Sequence, residues 1–134
     1  MQNRIIPNTI VATIGTLFAW LFGEWDLMFK VLASFMVIDY VTGIIVAFIE
    51  NTVDSKVGFK GILKKVLMLI LLIVSVLLDR LLGTEWLFRT ATAYFLIGNE
   101  GLSILENIAK TGLPLPEKLK EGLLQLKEGG NLDE

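Results

Sequence analysis

The chain has 134 residues, of which 54% are hydrophobic and only 19% charged, and its mean hydropathy is +0.66. A soluble domain of this size must cover a large surface with polar groups, so the balance points to a lipid environment and to one domain of ordinary size. A formal net charge of -2 gives no basic patch for nucleic acid, and the lack of cysteine and histidine removes disulfides, thiolate metal sites, the commonest general base and the commonest metal ligand.

A membrane-crossing helix needs about 20 mostly apolar residues. The first candidate, residues 8–22, reads "NTIVATIGTLFAWLF". It follows Arg4 as the core of a secretory signal would, but no small-x-small cleavage site precedes "GEWD". The stretch therefore reads as a retained span, or as a helix lying in the interface. Gly15, Ala19 and Gly23, four apart, form a small-residue ridge of the kind that lets membrane helices approach closely.

The second candidate is Leu27–Ile49. Asp39 sits at its centre, where a lone carboxylate costs about 2.5–3.5 kcal/mol. Helical spacing puts Asp39, Thr42, Gly43 and Ala47 on one face, which predicts that this face is hidden from lipid. The third candidate, residues 62–82, is the most hydrophobic. Large apolar side chains fill it except at Ser75, and it reads as a lipid-facing anchor whose Asp79 and Arg80 reach the interface.

The fourth candidate, residues 86–105, carries Asn99, Ser103 and Glu106 on one face with Glu100 beside them. Either the span ends near Gly98 and this stripe lies in cytoplasmic water, or the stripe lines a wet passage. Gly112, Pro114 and Pro116 then break the helix. "EKLKEGLLQLKE" follows, with Leu119, Leu123 and Leu126 on one side and charge opposite. The closing "GGNLDE" reads as disordered.

The expected architecture is therefore all-α and polytopic. Three to four transmembrane helices occupy a membrane-embedded domain of residues 1–112, and residues 113–134 form a cytoplasmic amphipathic tail. Lys56, Lys60, Lys64 and Lys65 mark the loop after the second span and the turn beyond it as cytoplasmic. With four spans, both termini are cytoplasmic too. No Ser–His–Asp, HExxH or P-loop arrangement is present, so neither catalysis nor a cofactor is expected.

Three motifs occur in order: "DYVTG" from Asp39 to Gly43, "SKVGFKGILKK" with Ser55, Gly58, Gly61 and Lys65, and "NEGLSILENIAKTGLPLPEKLKE" with Glu100, Ser103, Asn107, Pro114 and Pro116. Together they resemble the toxin-secretion/phage-lysis holins. The resemblance implies a phage or prophage protein of the bacterial cytoplasmic membrane. Such proteins accumulate, self-associate and open holes through which an endolysin or a toxin crosses. It brings no catalytic residue. On this reading Asp39 and the stripe of Asn99, Glu100, Ser103 and Glu106 are sheltered by sibling copies. Gly58 and Gly61 would permit a tight cytoplasmic turn that Lys64 and Lys65 anchor to anionic headgroups. An antiholin that joins and delays the assembly, or a small ion-channel subunit, are the competing readings; no charged ring or filter-like motif favours a channel.

Overall fold

The computed structural model describes residues 2–129, with side chains from residue 5 onward. Five helices follow one another: α1 (Gln2–Phe22), α2 (Leu27–Ile49), α3 (Ser55–Leu82), α4 (Leu87–Ala109) and α5 (Glu117–Lys127). Of the closing "GGNLDE", residues 130–134 lie outside the described residues. Among the described residues, three helices are long and apolar enough to cross a membrane: α1 over Ile5–Phe22, α2 over Leu27–Ile49 and α3 over Ser55–Leu82. α4 is as long as α2, at 23 residues, but is not among them. Arg89, Asn99, Glu100 and Glu106 dilute its apolar character.

The helix ends follow from local chemistry. Asp26 caps α2 by accepting the amide of Phe29 at 3.0 Å, and Asp54 caps α3 by accepting that of Lys56 at 2.8 Å. Because Asp54 starts α3 seven residues ahead of the expected window, Gly58 and Gly61 lie inside the helix and not in a turn. Their missing side chains make room for Tyr40 of α2, whose hydroxyl oxygen would lie 3.3 Å from a Cβ on Gly58. α3 ends at Gly83, whose φ of 66° closes the helix in the left-handed region.

α4 begins differently. Glu85 and Trp86 precede it at φ 48° and 68°, and no side chain of the connection caps its first turn. The cap comes from α3. The Asp79 carboxylate accepts the amides of Phe88 at 2.9 Å and Arg89 at 2.7 Å, and the hydroxyl of Thr84. Asp79 is 3% exposed, so the expectation that it reaches the interface is corrected. Orphan amides at a helix start are strong anion partners, and they hold it inside.

α4 lies at the centre and packs most extensively on α2, then on α5 and α3. α2 and α4 run parallel: Asp26 meets Arg89 at one end, and Asp39 and Thr42 meet Asn107 further on. α3 runs antiparallel to both, with Lys65 level with Asp39 and Glu100, Ser75 bonded to Thr92 at 2.6 Å, and Asp79 against Arg89. The core joins Phe22, Phe29, Leu32, Met36, Leu72, Ala93, Leu96 and Ile97. α1 contributes only its last turns. Phe18, Phe22, Trp25 and Phe29 form one aromatic cluster with centroid distances of 4.6 to 5.4 Å, whereas residues 5–17 are exposed.

Candidate functional site

α2 contributes Asp39 and Thr42 to a polar cluster inside the bundle, α3 contributes Lys65, and α4 contributes Glu100 and Asn107. The Lys65 ammonium donates to Asp39 Oδ2 at 2.7 Å and also to Glu100 Oε2. Asn107 Nδ2 donates to Asp39 Oδ1 at 3.2 Å, to its carbonyl oxygen at 3.2 Å and to Thr42 Oγ1 at 3.0 Å. Thr42 Oγ1 in turn donates a hydrogen bond to the Ile38 carbonyl at 2.8 Å. No buried side-chain nitrogen or oxygen among the described residues lacks a partner.

The sequence places Asp39 where a partner is obligatory, and the structure supplies that partner from the same chain. Within one copy its charge is thus answered by Lys65 and Asn107. This corrects the assignment of Lys65 to the headgroups: the ammonium turns inward between two carboxylates, while Lys64 stays exposed. Physically, one ammonium in a low-dielectric interior gains more from two carboxylates than from a headgroup, provided each charge is also hydrogen-bonded. Glu100, at 2% side-chain exposure, is the most enclosed member.

The cluster opens into a hollow of about 400 Å³ between the C-terminal half of α2, the N-terminal half of α3 and α4. Gly43, Ala47, Asn99, Ser103 and Lys64 also border it. Glu106 faces away and is exposed. Thus most of the polar residues picked out in the second and fourth candidates converge on one hollow. The helix itself does not stop near Gly98: α4 continues to Ala109, and Gly98, Glu100, Gly101, Ile104 and Leu105 are all buried.

The ridge on α1 does not converge with them. Gly15 has nothing within 4 Å, and Gly23 is outside the helix at φ 90°. Gly23 instead makes room for Arg89, whose Nε would lie 2.7 Å from a Cβ there. Arg89 is a second polar centre that the sequence reading missed. It is 2% exposed. Its guanidinium donates to the Phe22 carbonyl at 2.6 Å, the Glu24 carbonyl at 3.1 Å, and both Asp26 oxygens at 2.8 and 3.1 Å. The hydrogen bond from Arg89 holds the Asp26 carboxyl below the usual carboxylate range. An isolated arginine near the start of a membrane-length helix, with "GEWD" in the preceding turn, was the available signal.

This is a bundle with apolar outer faces and ion pairs at two levels, with no cluster of three or more Asp or Glu that could hold a metal ion among the described residues. The bacteriophage holin family matches residues 16–128, and the chain belongs to that family. An uncharacterised protein of Clostridium perfringens is 52% identical over 117 residues, covering 87% of this chain and 89% of its own. An uncharacterised protein of Listeria innocua is 44% identical over 121 residues, covering 90% and 86%. A probable holin of Bacillus phage phi105 is 33% identical over 105 residues, covering 78% and 77%. No solved structure matches the chain.

Proposed function

We propose that this protein is a working holin, which oligomerises in the bacterial cytoplasmic membrane and forms holes that let an endolysin, or a toxin, reach the wall side. One observation carries the reading: α2 and α3 present long apolar outer faces, while Asp39, Lys65, Glu100, Asn99 and Ser103 gather on the inner side around a hollow. Such a bundle is stable in lipid as a single copy and still owns a wall that tolerates water.

In this reading Gly43, Ala47, Asn99 and Ser103 belong to the face turned from lipid. Gly15 and Ala19 on exposed α1 are the closest-approach points for a second copy. The loop between α2 and α3, with Lys56 and Lys60 beyond it, is cytoplasmic, and Arg89 with Asp26 lies toward the outside. Both termini are then cytoplasmic, with α1 and α4 crossing. The partners are the bilayer and further copies, with endolysin as passing cargo.

Inducible expression in a bacterium, with and without a co-expressed endolysin, tests the proposal. The expected result is abrupt loss of membrane potential at a set time, followed by lysis only when the endolysin is present. An intact potential throughout refutes the hole and favours an antiholin role. A potential lost without enzyme release favours an ion channel.

A further inference from the structure

α5 occupies an unexpected depth. A Cβ on Gly98, in the middle of α4, would lie 2.6 Å from the backbone nitrogen of Lys127 and 2.7 Å from the carbonyl oxygen of Leu123. A Cβ on Gly101 would meet the Leu123 side chain at 2.5 Å and Phe35 of α2 at 3.1 Å. The helix therefore lies backbone-on in a groove cut by two glycines, with Leu123 buried and Leu126 packed against the core.

Phe35 fixes the level of this contact. It is the ninth of the 23 residues of α2, which carries exposed apolar side chains from Leu27 to Ile49. At 1.5 Å per residue, Leu123 lies about 20 Å from the C-terminal end of α2. α3 gives the same answer: Gly98 falls between the Lys65–Glu100 and Ser75–Thr92 contacts, well inside the apolar run that begins at Ile62. The C-terminal half of α5 is thus level with hydrocarbon.

Its outer face cannot dissolve there. With Leu123 turned inward, Glu117, Lys118, Glu121 and Glu128 point outward, and all four are exposed. Each charge facing acyl chains costs about 2.5–3.5 kcal/mol at the bilayer centre. The apolar faces of α2 and α3 supply lipid contact elsewhere on the bundle, so the face bearing α5 is the one that meets water. We infer that the outer face of α5 lines the aqueous passage of the assembled protein, at membrane depth, and is not a tail held away from the bilayer. This rests on the hole-forming reading, and it assigns the wall of the hole to Glu121 and Glu128 and to the edge formed by α4 and α5.

The natural chain has no cysteine, so single replacements are clean probes. Glu121→Cys and Ile70→Cys proteins are purified and reconstituted in vesicles loaded with a small dye and a folded protein cargo. Dye and cargo release reads the hole itself. Attaching a maleimide-linked polymer of about 5 kDa at position 121 is expected to cut cargo release at least fivefold. Unchanged release with full modification overturns the inference while leaving the hole intact. Gly98→Val, which must lift α5 from its groove, is expected to change cargo release by a similar factor, and unchanged release there also counts against it. If unmodified protein releases nothing, the hole-forming reading fails on its own. The placement of α5 is then read with a bimane fluorophore at position 121 or 70. Iodide quenching at 121 and bromolipid quenching at 70 support a wet face, and bromolipid quenching at 121 overturns it.

Discussion

Lys65→Met tests the ion cluster most directly. The substitution keeps the length and apolar stem of the side chain but removes the charge that Asp39 and Glu100 share. Asp39 keeps its bonds from Asn107, whereas Glu100, 2% exposed, loses its cation. Removing one partner of a buried pair costs about 3–5 kcal/mol. The expected loss is therefore about 3 kcal/mol or more, measured by equilibrium unfolding in mixed micelles. The triple variant Lys65→Met, Asp39→Asn, Glu100→Gln removes all three charges and should recover more than half of it. A single variant within about 0.5 kcal/mol of the natural protein, in the range of an exposed pair, would show that the cluster is solvated and refute the reasoning.

Asp79→Ala uncaps α4 inside the bundle. A cost of about 2 kcal/mol or more in the same unfolding measurement is expected, above an ordinary surface cap. Gly23→Ala places a Cβ 2.7 Å from Arg89 Nε at a φ of 90°; it should destabilise by about 1–3 kcal/mol, and fluorescence of the nearby Trp86 should shift as Arg89 is displaced. For Asp26, Arg89 lowers the folded carboxyl below its unfolded value. Its contribution is thus fully present above the ordinary carboxylate range and lost as the pH falls through the folded value. The stability difference between the natural protein and Asp26→Asn should be flat above pH about 5 and decline below about 4. Since Asp26 is 32% exposed, water screens the pair and the total difference should be small.

The apolar helices were legible because their signal is one of composition. The limits of α2 coincide with the expected Leu27–Ile49. The start of α3 was not legible, because "DSKVGFKG" looks like a turn until Tyr40 is known to need the space over Gly58 and Gly61. Asp39 announced that it needed a partner, but not which one. Lys65 lies 26 residues away in sequence, and lysines beside an apolar run ordinarily mark the cytoplasmic interface. Asp79 misled in the opposite direction. A carboxylate at the end of a hydrophobic helix normally reaches water, and only the orphan amides of the next helix turn it inward. Leu123 was placed on the apolar side of its helix from periodicity, whereas the groove receiving it depends on Gly98 and Gly101, whose value lies in what they leave out.

The dependence of α4 on Asp79 also bears on biogenesis. A chain emerging from the ribosome delivers α3 first, with an aspartate near its trailing end and no amides yet to answer it. Arg89 arrives ten residues later and brings those amides with it. The two segments therefore have reason to leave the translocon together, as a paired hairpin in which the amides of the second helix already answer the carboxylate of the first before it meets fatty acyl chains.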